Sequence, residues 1–62
     1  MKMITLHDCY HNESITIFIS AIIAIESIDY SGYRTRIYAA GFTFLASETK
    51  EEILKLMRNA KP

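Results

Sequence analysis

An α+β fold, with an antiparallel β-meander of four to five strands and one C-terminal amphipathic helix, is the architecture these 62 residues predict. Three observations carry it. Ten residues are isoleucine, and β-branched side chains suit a pleated surface. Short runs of alternating apolar and polar residues, separated by polar or glycine-containing breaks, extend to Ala46. Beyond Ser47 the spacing becomes helical, behind a capping signal.

The first strand is expected at about 2–7, with Ile4 and Leu6 on one face and Met3, Thr5 and His7 on the other. Asp8 to Glu13 is polar and contains Asn12, which reads as a hairpin turn. The second strand, about 14–19, sends Ile15, Ile17 and Ile19 one way and Ser14, Thr16 and Phe18 the other. At Ser20-Ala21 the phase breaks, because Ile19, Ile22 and Ile25 are spaced by three. A bulge or a single helical turn would re-aim the chain there. A third strand is expected at about 23–28, and Asp29-Tyr30-Ser31-Gly32 then reads as a turn. A fourth strand, about 33–39, sets Tyr33, Thr35 and Ile37 against Arg34, Arg36 and Tyr38. Ala40-Gly41 turns the chain tightly into a fifth strand, about 42–46.

The helix is expected at about 50–60. Thr49 and Glu52 have the spacing of a capping box, in which each side chain satisfies the other's amide. Glu51 and Glu52 complement the positive end of the helix dipole, and Arg58 and Lys61 the negative end. Ile53, Leu56, Met57 and Ala60 form the expected apolar stripe, with Leu54 on its flank.

A chain of this length reads as a single domain, 1–62. It buries only about 60% of the surface its unfolded form exposes, so partner subunits are a common supplement. Cys9 is the single cysteine, which excludes an internal disulfide. Met1-Lys2-Met3-Ile4 runs straight into polar His7-Asp8, unlike a signal peptide. The longest apolar stretch, Ile15 to Ile25, is eleven residues broken by Thr16 and Ser20; a membrane-spanning helix needs roughly 20. A cytoplasmic protein with no membrane partner is the expectation. Seven basic residues balance seven acidic ones, so the basic excess that drives nucleic-acid binding is missing and nucleic acid is a disfavoured partner.

The segment His7-Asp8-Cys9-Tyr10-His11-Asn12-Glu13 concentrates metal-ligating residue types. In an extended chain His7, Cys9 and His11 share one face, but neighbours lie about 6.7 Å apart and the outer pair about 13 Å apart. Zinc needs about four donors within roughly 2.3 Å, and no second Cys/His cluster is present. The reading is therefore a polar hairpin loop with a half-buried Cys9, with no metal and no cofactor. A metal shared between subunits through His7, Cys9 and His11, or a reactive thiol beside a histidine, are the alternatives. Arg34, Arg36 and Tyr38 project from one strand face, an arrangement that stacks and neutralises single-stranded nucleic acid. Glu26 on the neighbouring strand makes a cross-strand-paired face the simpler reading. Glu48, Glu51 and Glu52 are explained by the helix start, the serines lack a glycine-flanked elbow, and two glycines cannot build a phosphate loop. No catalytic residue is assigned, and the chain is not expected to be an enzyme.

One helix covers one face of a sheet. The other would present Phe18, Tyr38, Phe42 and Phe44 beside Arg34 and Arg36, and an apolar patch of that kind marks a partner surface. A second copy, through sheet faces or an edge strand, is the simplest partner.

The pattern Ile15-Thr16-Ile17, then Ile22 and Ile25-Glu26, then Thr35-Arg36-Ile37 with Gly41, then Glu48-Thr49-Lys50-Glu51-Glu52-Ile53, resembles the small flagellar-operon FlbD family. Similar short phage-encoded proteins share it. The resemblance spans nearly the whole chain through core and cap positions. It implies a small, non-catalytic accessory protein with no established cofactor, of phage or mobile-element origin, with a host or operon-encoded protein as partner. The functional expectation is a self-associating protein-interaction or regulatory module. The alternatives are a phage inhibitor that binds a host protein or a small nucleotide signal, and a single-stranded nucleic-acid binder through Arg34, Arg36 and Tyr38.

Overall fold

Each inward-facing run of the alternating pattern finds a place around one core. The structure, a computed structural model, describes residues 1–28 and 34–61. Strands β1 (Met3–His7), β2 (Ser14–Phe18), β3 (Ile22–Ser27), β4 (Thr35–Ala39) and β5 (Phe42–Ala46) precede helix α1 (Lys50–Asn59). All strand pairings are antiparallel, and the class is α+β. The expected Asp29–Gly32 turn and Tyr33 lie outside the described residues.

A single meander is not what forms. β1 and β2 make a two-stranded sheet, and β3, β4 and β5 a three-stranded one in that order. Between β2 and β3 the chain makes a 3-10 turn, Ile19–Ala21. The two sheets meet elsewhere, at an antiparallel bridge between Asp8 and Ala46. There the Cys9 amide donates to the Leu45 carbonyl (2.9 Å) and the Ser47 amide to the His7 carbonyl (2.8 Å). A flat five-stranded sheet with one helix would leave a whole face uncovered. Turning two sheets about a common interior lets the inner faces of both bury each other.

That interior consists of Ile4, Leu6, Ile17, Ile37, Ala39, Phe44, Ala46 and Ile53, with Ile15, Ile19, Ile22, Ile25 and Met57 packed against it. Register aligns these residues: Ile4 faces Ile17 and Leu6 faces Ile15, while Ile37 lies between Ile25 and Phe44. Thr35 is the one buried polar residue among those described, and its hydroxyl donates to the Glu48 carbonyl at 2.9 Å. Burying it is tolerable because that hydrogen bond is made.

The phase break at Ser20-Ala21 has both of its anticipated forms. The 3-10 turn is followed by a register shift between Ile22 and Ala24, which leaves Ile23 and Ala24 both exposed in sequence. At the same end of the sheet, in the turn between β4 and β5, Gly41 adopts φ +92°, a conformation costly for any residue with a Cβ.

The capping box at Thr49 forms in both directions: the Glu52 amide donates to Thr49 Oγ1 and the Thr49 amide to Glu52 Oε1, each at 3.1 Å. α1 lies against β1 and β3. Its buried stripe is narrower than the expected one. Ile53 is 0% exposed with Met57 and Ala60 beside the core, whereas Leu56 is 40% exposed. The core is too small to reach across the helix, so Leu56 instead lines a groove with Thr5 and His7 on β1.

Candidate functional site

The polar turn after β1 is built by Asp8. Its carboxylate accepts from the amides of Tyr10 (2.8 Å) and His11 (3.1 Å), and its carbonyl accepts from the Asn12 amide (2.8 Å). Asn12 takes φ +55° to close the loop, as asparagine does more readily than most residues. The Tyr10 amide is the main cause holding the Asp8 carboxyl below its ordinary value of 3.8; burial opposes it, and His11 adds to it.

The two histidines turn to different carboxylates. His11 Nδ1 lies 3.3 Å from Asp8. His7 Nδ1 pairs with Glu48 Oε2, and the other Glu48 oxygen accepts from the His7 amide at 2.9 Å. Ser47 Oγ adds a hydrogen bond to the His7 carbonyl. This cluster fastens the end of β1 to the segment that enters α1. Cys9 is half-buried, with its backbone on β5. Among the described residues no group of three or more His, Cys, Asp or Glu is disposed to hold a metal ion. His7, Cys9 and His11 are thus not brought together as a ligand set.

The outward face of the three-stranded sheet carries a second cluster. Glu26 lies opposite Arg36 in register. The Tyr38 hydroxyl donates to Glu26 Oε1 at 2.9 Å, and Arg36 reaches both Glu26 and the Tyr38 oxygen at 3.4 Å. The Tyr38 hydroxyl foremost, with Glu26 behind it, holds Arg36 above its ordinary value. Two of the three residues expected to meet a strand of nucleic acid are therefore occupied with a carboxylate. Arg34 is exposed.

Of the aromatic residues expected on an interaction surface, Phe44 is not there. It is only 8% exposed and belongs to the core, because β5 turns Phe44 and Ala46 inward opposite Ile37 and Thr35. Phe42 shares that inward face but lies at its rim, half exposed and stacked on Phe44 with ring centroids 5.7 Å apart. Phe18 is exposed, directly opposite Met3 on the outer side of the β1–β2 hairpin. Phe18 and Tyr38 lie in different sheets.

The structure adds apolar positions that alternation alone did not single out. Met1 and Met3 are exposed, and Ile23 is 73% exposed on β3. The broken isoleucine spacing at Ile19, Ile22 and Ile25 was the available sign that Ile23 would fall out of phase. Nothing local to Glu48 distinguished its contact with His7 from a helix-start role.

Comparison of the chain with family models, with curated proteins and with solved structures returns no match. No helix is long and apolar enough to cross a membrane among the described residues.

Proposed function

We propose that this protein is a small, non-catalytic, cytoplasmic interaction module that self-associates and acts by contacting another macromolecule. The observation that carries this reading is the amount of apolar surface left outside a small core. Met3 and Phe18 face outward side by side, and Met1 and Ile23 are more exposed still. For a chain that buries only about 60% of its surface, covering such residues with a second copy adds stability at little design cost. The FlbD-like pattern of core and cap positions supports an accessory role of phage or mobile-element origin, with a host or operon-encoded protein as the further partner.

The nucleic-acid reading gains less support, since Glu26 occupies Arg36 and Tyr38. A phage inhibitor that binds a host protein is a narrower form of the leading proposal. Native mass spectrometry of the untagged protein at several concentrations tests self-association directly. A metal-free oligomer whose population rises with concentration is expected. A stable monomer throughout the range would refute it.

A further inference from the structure

We draw no further inference here: the strongest candidate, the open groove between β1 and α1 lined by Thr5, His7, Glu52, Lys55 and Leu56, belongs to the His7–Glu48 cluster already described, and nothing in the structure shows what occupies it.

Discussion

Truncating two leucine-sized residues one turn apart on α1 tests which face of the helix holds the fold. Ile53 is 0% exposed, whereas Leu56 is 40% exposed beside an open groove. Ile53→Ala removes buried methyl groups and leaves a cavity enclosed by the two sheets. Such substitutions cost about 2–5 kcal/mol. At about 0.05–0.15 kcal/mol per residue a chain of this size has roughly 3–9 kcal/mol in total, so the loss is a large share of its stability. Leu56→Ala forfeits only the buried part of its side chain, opens no closed cavity and gains slightly in helix propensity, for a cost of about 1 kcal/mol. Urea unfolding at one fixed protein concentration, followed by circular dichroism, measures both. Fixed concentration matters because association adds to apparent stability. The midpoint for Ile53→Ala is expected to fall much further than that for Leu56→Ala. Equal losses would mean that Leu56 belongs to the core stripe and that the placement of α1 is wrong.

Three further outcomes follow from local geometry. Thr49→Ala removes one half of the capping box and is expected to cost about 1 kcal/mol, read as a lower urea midpoint with an unchanged slope. Gly41→Ala introduces a Cβ that meets nothing within 4 Å, so its cost is backbone strain alone at φ +92°, about 1–2 kcal/mol; a larger loss would indicate a packing role for the turn. Asp8 has a lowered folded pKa, so the charge-dependent part of its contribution is complete above its ordinary value of 3.8 and disappears as pH falls through the folded value. The stability gap between the wild type and Asp8→Asn is therefore expected to stay constant from neutral pH down to about the ordinary value of 3.8 and to narrow in more acidic solution. A gap that closes already near neutrality would point to another titrating group.

Much of the fold was legible in the chain. β5 begins and ends where its pattern does, and the Thr49 capping box forms as its spacing requires. The broken spacing at Ser20-Ala21 pointed to a bulge or a helical turn, and the chain has both. The helix stripe was less legible: Leu56 has the same periodicity as Ile53, and only the size of the core separates them. Phe44 was read as surface because alternation divides a strand into two faces without saying which is inner. The register of β5 against β4 places it opposite Ile37 and so inside. His7 ends β1 and His11 lies in the polar turn after it, while their carboxylate partners depend on distance in sequence. Asp8 is three residues from His11, but Glu48 lies 41 residues from His7.

By itself, the sequence determined what depends on near neighbours: strand alternation, turn chemistry at Asp8 and Gly41, and the cap and dipole of α1. These effects act within a few residues, where backbone sterics and local hydrogen bonds decide the outcome. Only the tertiary structure decided that the strands divide into two sheets joined at Asp8 and Ala46. It also decided that Phe44 lies inside, that Glu48 holds His7, and that β3 is left as an edge. Those outcomes follow from how little apolar surface one helix can cover, and that limit appears only when every element competes for the same small core.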